Sequence, residues 1–235
     1  MSKNFTDLEL KLFFRSSGRD NQITRGFEGA SYINMPKGYG YELQYMNMSG
    51  KRFKYMFHLM RRKGEEYSSA LGWNKAYDFL VEYTPMDSIS YSIFYQDLKE
   101  QDWLNWIENN ILGTYDMRQR LTVAGINWFK GDKHELRLKA QLVAFTSRNP
   151  QTFLADNTGN LLASNIQLPP LTLSDLAFQI RYRYEIKPLS YFYLVYTKGG
   201  RVVQFDEEDS LGKIYQRPWE DPQTDTFTVK LRYRF

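Results

Sequence analysis

The last ten residues of the chain alternate between apolar and polar side chains without an exception. Phe227, Val229, Leu231, Tyr233 and Phe235 occupy one phase, and the other phase holds only Thr, Lys and Arg. Because successive side chains of a β-strand point to opposite faces, this period of two predicts a strand with one apolar and one cationic face. A single strand cannot satisfy its own backbone, so we expect more strands of the same kind upstream.

The same alternation recurs along the chain and predicts about ten strands. They lie at residues 6–16, 39–46, 53–60, 77–84, 89–95, 115–129, 136–144, 175–187, 191–197 and 226–235. Trp103, Trp106 and Ile107 have helical spacing and predict a short amphipathic helix within residues 99–110. Residues 147–170 are rich in Asn, Gly and Pro, which predicts irregular structure, and residues 199–225 are predicted to form the last loop.

The connections between these segments alternate between long and short along the whole chain. Outer-membrane barrels show this asymmetry, because their periplasmic turns are short and their extracellular loops are longer. The mean hydropathy of −0.58 and the 18 Tyr fit such a barrel, in which only alternate residues meet lipid and Tyr is frequent at the interfaces. The sequence therefore predicts one all-β domain over residues 1–235, an antiparallel transmembrane β-barrel of about ten strands in the bacterial outer membrane. A soluble β-sandwich or lipocalin-like binder is a further alternative.

The apolar phase of the final strand is also a candidate assembly signal. A terminal aromatic residue on such a strand is similar to the signal that the barrel-insertion machinery reads, here carried by Phe227, Val229, Leu231, Tyr233 and Phe235. The expected partners are therefore outer-membrane lipid and the barrel-assembly machinery.

Several stretches resemble one barrel family. They are residues 136–141 (LRLKAQ), 176–185 (LAFQIRYRYE), 188–190 (PLS), 195–200 (VYTKGG) and the terminal residues 227–235. They are similar to the C-terminal barrel domain of unknown function that follows a family-9-like carbohydrate-binding domain in bacterial outer-membrane proteins. The resemblance implies an N-terminal β-sandwich and additional strands upstream, so this chain would be part of a larger barrel or a trimmed version. It implies no catalytic residues.

Basic side chains on the polar phase form a candidate lumen-lining ladder. Its members are Lys54, Arg118, Arg120, Arg137, Lys139, Arg181, Arg183, Lys230, Arg232 and Arg234. We expect them to pair with acidic residues and fill a narrow barrel, because charges shielded from water need partners. The alternative is a cation-lined channel for small anions or acidic glycans. The basic residues are spread among acids, so no nucleic-acid partner is expected.

Catalytic signals are weak. The only two histidines, His58 and His134, lack the spacing of metal ligands, the chain has no Cys, and no metal or cofactor is expected. The enzyme alternative is an outer-membrane hydrolase, either an omptin-like protease or a lipid or glycan hydrolase. Its candidate residues are Asp97, Asp102, Glu108 and Asp116 at the rim, with Ser90 or Ser92 beside His58 in the lumen.

The pattern therefore favours a non-enzymatic outer-membrane protein, an anchor or narrow channel. The family resemblance implies that it is associated with carbohydrate binding or uptake. The segments around Trp103, Phe153 and Trp219 are expected to face outward. Trp in these places is typical of interface anchoring, and stacking on sugar rings is the alternative.

Overall fold

The computed structural model describes residues 6–24, 29–64, 71–207 and 210–235. These residues form thirteen strands and one helix. Their bounds are β1 Asp7–Arg15, β2 Gly18–Asp20, β3 Ile33–Met35, β4 Gly38–Asn47, β5 Phe53–Lys63, β6 Trp73–Met86, β7 Ile89–Glu108, β8 Ile111–Lys130, β9 His134–Ala155, β10 Leu161–Ser164, β11 Leu171–Lys187, β12 Ser190–Gln204, α1 Leu211–Glu220 and β13 Thr224–Arg232.

One antiparallel sheet contains almost all of these strands. Its order is β1-β4-β5-β6-β7-β8-β9-β11-β12-β13, and β10 adds to β9 beside this path. Each strand of the path pairs antiparallel with its neighbour. The all-β class, the antiparallel order and the strands around the ten predicted centres are confirmed.

The two ends of the sheet differ in their connections. At one end, which we call the turn end, short turns at residues 48–52, 87–88, 131–133 and 188–189 join consecutive strands. At the other end, the loop end, longer connections join β1 to β4, β5 to β6, β9 to β11 and β12 to β13 and carry the β2–β3 hairpin, β10 and α1. The long strands β7 and β8 are joined there by a two-residue turn at residues 109–110. Because neighbouring strands are antiparallel and the path contains ten of them, β1 and β13 run in opposite directions, and the start of β1 and the end of β13 both lie at the turn end.

The predicted helix at residues 99–110 is wrong, because β7 continues as a strand to Glu108 and turns at residues 109–110 into β8. A bulge between Glu100 and Trp103, with Asp102 at φ 52°, shifts the phase of the alternation. Trp103 pairs with Tyr115 across the ladder. The helix-like spacing of the two tryptophans therefore results from a bulge in a strand.

The predicted irregular segment at residues 147–170 is also wrong in its first half. β9 extends to Ala155, a turn at residues 156–160 follows, and β10 returns along β9. The loop-end halves of β7, β8 and β9 with β10 form a sheet extension, and the β2–β3 hairpin packs on it. Buried Ile33, Leu104 and Leu112 lie in the small core between them. Packing against this core stabilises the asparagine- and proline-rich end of β9 as a strand.

The final connection is shorter than predicted. β12 continues to Gln204, and α1 occupies the middle of the former loop, where the Ser210 side chain accepts a hydrogen bond from the backbone N–H of Lys213. At the other end of this segment, β13 ends at Arg232. The last three residues, including Arg234 of the predicted ladder, therefore lie beyond the strand.

The outer edges of the sheet are not joined to each other. Within the described residues, β1 pairs only with β4 and β13 only with β12, so the sheet is open and closure into the predicted barrel is not seen. Nearly all side chains of these two edge strands are exposed on both faces.

Candidate functional site

The pairing register gives the sheet two chemically distinct faces. We define the apolar face by Leu10, Phe57, Phe79, Ile180 and Phe227, which share one side through continuous cross-strand pairs. The opposite side is the polar face. The apolar side chains form a belt across all ten strands of the path, so the two faces arise from the period of two in the sequence.

On β4, exposure of the two faces is the reverse of what a water-soluble sheet shows. On β4, Leu43 and Tyr45 are 40% and 41% exposed, whereas the side chain of Glu42 on the polar face is only 18% exposed. At the far edge, Leu231 on the apolar face is 62% exposed, and the polar side chains of β13 are exposed as well. A contiguous apolar surface of this kind marks a site of contact with a membrane or another apolar surface.

Helix α1 covers part of the apolar face. The Trp219 ring packs edge-on against Phe178 with centroids 5.5 Å apart, and the Tyr215 hydroxyl lies 3.4 Å from that of Thr122. Arg217 bonds to Asp206 at 2.7 Å and ties the helix to the end of β12. The helix thus lies across the sheet at the loop-end margin of the belt.

The polar face carries paired charges near β4, β5 and β6. His58 Nδ1 lies 2.7 Å from Asp78 Oδ2, and Glu42 contacts both Arg62 and, at 4.0 Å, His58 Nε2. Lys54 bonds to Glu82 at 3.2 Å. Acidic and basic groups therefore neutralise one another on this side.

A second ionic cluster lies on the polar face near the turn end. Glu135 is 2% exposed, and three guanidinium groups surround its carboxylate. Arg183 lies 2.9 Å and Arg181 3.2 Å away, and Arg137 contacts it as well. One carboxylate thus orients three basic residues of the predicted ladder, because β9 and β11 are adjacent strands.

The structure separates the predicted basic ladder into two groups. Lys54, Arg137, Lys139, Arg181, Arg183, Lys230 and Arg232 share the polar face through the register. Arg118 and Arg120 do not share this face, as the prediction required, because they pair with Lys99 and Asp97 on the apolar face. Their phase continues through Thr122 to Ala124 and Ile126, so the same side of β8 is polar at the loop end and apolar at the turn end. Leu121 and Val123, on the opposite phase, misled the assignment of faces.

The candidate catalytic residues do not form a nucleophile and base pair. His58 contacts Asp78, and Ser90 accepts a hydrogen bond from Asn127 at 3.2 Å. No hydrogen bond links His58 to Ser90 or Ser92 within the described residues. His134 lies at the turn end on the apolar face and contacts the Tyr182 hydroxyl at 2.6 Å.

The rim carboxylates lie at the loop end and have different partners. Asp97 accepts two hydrogen bonds from Arg118, and Asp116 accepts one from Asn149 at 2.8 Å. Asp102 occupies the bulge of β7, and Glu108 ends that strand. No cluster of three metal-ligating side chains occurs in the described ranges, and no helix there is long and apolar enough to cross a membrane.

Comparison of the chain with models of known protein families, with curated proteins and with solved structures gave no match. The two faces of the sheet and the groups that they carry are therefore the features that point to a function.

Proposed function

We propose that the protein is a bacterial outer-membrane β-barrel whose apolar face contacts lipid and whose polar face lines the interior. The single observation that carries this proposal is the reversed exposure of the two faces, seen in Leu43 and Tyr45 against Glu42. Exposure of apolar surface to water costs about 25 cal/mol per Å², so a large exposed belt is unfavourable in water, whereas contact with lipid removes this cost. The asymmetry between turn end and loop end agrees with this proposal.

The proposal requires the two sheet edges to be sealed. Unpaired backbone groups cost several kcal/mol each in hydrocarbon, so an open edge does not persist there. β1 and β13 run antiparallel and carry apolar residues on the same face, as strands that pair with each other must. Either β1 and β13 pair with each other and close the barrel, or further strands of a larger barrel lie between them, as the family resemblance implies.

The fold is tested by transfer of the purified chain into neutral detergent and lipid vesicles. We expect a form that migrates faster on a gel before heating than after heating, and that is protected from protease at the belt. A chain that remains folded and soluble without detergent, and gains no protection from vesicles, contradicts the membrane proposal.

Direct closure is tested by disulfide formation, because the chain contains no Cys of its own. Leu10→Cys on β1 is combined in turn with Phe227→Cys, Val229→Cys or Leu231→Cys on β13, all on the apolar face. One pair should oxidise if the strands are neighbours, since a disulfide needs Cα atoms about 4.4–6.8 Å apart. Failure of all three in the folded protein places other strands between the two edges.

For the interior we propose a lumen filled by ion-paired side chains, so that the protein is an anchor rather than an open channel. The pairs Lys54 with Glu82 and Arg62 with Glu42, and the group around Glu135, support this proposal. Small barrels are filled by their own side chains. Planar bilayers should therefore show no steady conductance, and a stable anion-selective current contradicts the filled lumen.

A carbohydrate-linked role for this anchor is part of the proposal and comes from the family resemblance alone. A hydrolase is the alternative function. It predicts that the purified protein cleaves peptides, lipids or glycans, and that His58→Ala abolishes the cleavage.

A further inference from the structure

Four basic residues form a continuous row across the apolar face at its loop end. Arg61 on β5 pairs with Lys75 on β6, Lys75 with Lys99 on β7, and Lys99 with Arg118 on β8. We call these residues the cation row. Neighbouring strands are about 4.8 Å apart, so the row spans about 14 Å.

Such an arrangement is unfavourable unless an anion compensates it. Like charges directly opposite each other destabilise a sheet. Within the described part of the chain, Arg118 is the one member of the row with a carboxylate in contact, and that carboxylate is Asp97. Lys99 is exposed and Lys75 half-buried, with no ion pair to described residues. The Arg61 guanidinium stacks over the Trp73 ring, 4.4 Å from its centroid, and has no ion pair to described residues.

The groups around the row keep its charge positive. Arg120 lies one pair nearer the belt, opposite Asp97, and Arg148 lines the same open cleft as Lys75 and Lys99. Glu100 and Asp116 also line this cleft, where Glu100 accepts a hydrogen bond from Asn74 and Asp116 accepts one from Asn149. Basic side chains outnumber the acidic ones on this side.

The position of the row matches the boundary of a bilayer. Residues 89 to 99 of β7 extend from the turn end to the row, about 33 Å along the strand at 3.3 Å per residue. A strand tilt of about 40° reduces this to a height of about 25 Å, the height of the apolar band in outer-membrane barrels. Tyr41 is adjacent to Arg61 in the register, and Tyr77 is adjacent to Lys75 on β6, as expected at an interface.

We propose that the cation row binds the phosphate groups of an anionic lipid in the leaflet at the loop end. The inference rests on the proposed membrane location, because the acyl chains of that lipid would lie on the belt below the row. An amphipathic anion complements both surfaces at once: phosphate oxygens meet Lys75, Lys99 and Arg118, and hydrocarbon meets Tyr77 and its neighbours. A free anion or an acidic peptide uses only the charges.

The test compares lipid binding by two double variants in neutral detergent. Lys75→Gln with Lys99→Gln removes two charges from the row. Lys139→Gln with Lys230→Gln removes two lysines from the polar face and is the matched control. Native mass spectrometry measures binding of phosphatidylglycerol, and phosphatidylcholine is the zwitterionic reference.

We expect wild type and control to prefer phosphatidylglycerol, and the row variant to lose about 25-fold in affinity for it. This corresponds to about 1 kcal/mol for each lysine near a lipid surface. An equal loss in the control, or no loss in the row variant, overturns the inference. Inorganic phosphate that binds as tightly as the lipid assigns the row to free anions and also overturns it.

The two proposals fail in different ways. Absence of a heat-modifiable form and of vesicle insertion refutes the membrane barrel itself. Normal insertion with equal affinity for both lipids leaves the barrel in place and refutes only the lipid site.

Discussion

Substitution of Ile93 by arginine tests whether the apolar face meets lipid or water. Ile93 lies near the middle of the part of β7 between Ile89 and Lys99, opposite Val81 and Ala124 in the register, and is 40% exposed. Ile89 lies on the same face and strand near the turn end, opposite Trp128. Both replacements introduce the same side chain, so depth in the belt is the main difference between them.

The expected cost depends on the solvent. On a lipid-facing barrel surface, arginine costs about 2–4 kcal/mol at the bilayer midplane and about 0–1 kcal/mol near an interface. Ile93→Arg should therefore be about 2–3 kcal/mol more destabilising than Ile89→Arg, roughly a 30- to 150-fold difference in folding equilibrium. On a surface exposed to water, the change at such a site stays within about 0.5 kcal/mol.

The measurement is reversible unfolding by urea in vesicles, followed by tryptophan fluorescence and by the fraction of the heat-modifiable form. Ile93→Leu is the control, because a swap that conserves volume costs less than about 1.5 kcal/mol. Equal free energies of unfolding for the two arginine variants would refute the assignment of this face to lipid, as would a larger cost at Ile89.

Three further variants test local features. Glu135→Gln should cost about 2 kcal/mol, less than the roughly 3–5 of a fully buried pair, because the three guanidiniums are partly exposed; unfolding in detergent measures it. Gly159→Ala should make the β2–β3 hairpin accessible to protease, because φ of Gly159 is +78° and a Cβ there would lie 2.6 Å from the Tyr32 ring. Gly131→Ala is the control, because φ of Gly131 is +56° but a Cβ there would lie in open space, and it should not increase proteolysis of the hairpin. Hydrogen bonds from the Asn160 backbone N–H and from Thr158 lower the pKa of Asp156. The ionised carboxylate therefore stabilises this turn fully above the unfolded pKa near 4, and hydrogen-exchange protection of the turn should be lost as pH falls through the lowered folded pKa. Asp156→Asn should abolish this pH dependence.

The period of two predicted the strands that make up the path of the sheet. Alternation in residues 226–235 and in β11 needs only local sequence to be recognised, because one environment acts on each face along the whole segment. The short turns were predicted because each falls between two neighbouring strand segments.

Prediction from sequence failed where one strand passes through two environments. In β8 the phase that begins with Arg118 ends with Ile126, so neither phase is uniformly polar and only the register assigns the faces. The extension of β9 to Ala155 depends on contacts with residues far away in sequence, such as Ile33 in the small core. The cation row was missed for a similar reason, because its four members become neighbours only when β5 to β8 are aligned.

Helix α1 sets a limit on how far the proposed barrel can sink into the bilayer. Its contact with the sheet at Phe178 lies nine residues from Lys187 at the turn end, about 30 Å along β11 and about 23 Å in height at a tilt of about 40°. Lys213, Gln216 and Glu220 occupy the same helix, whose burial pattern leaves them exposed, and their charges and dipoles resist entry into hydrocarbon. The helix therefore limits the depth of insertion, and the protein should insert poorly into membranes whose hydrocarbon layer is much thicker than this height.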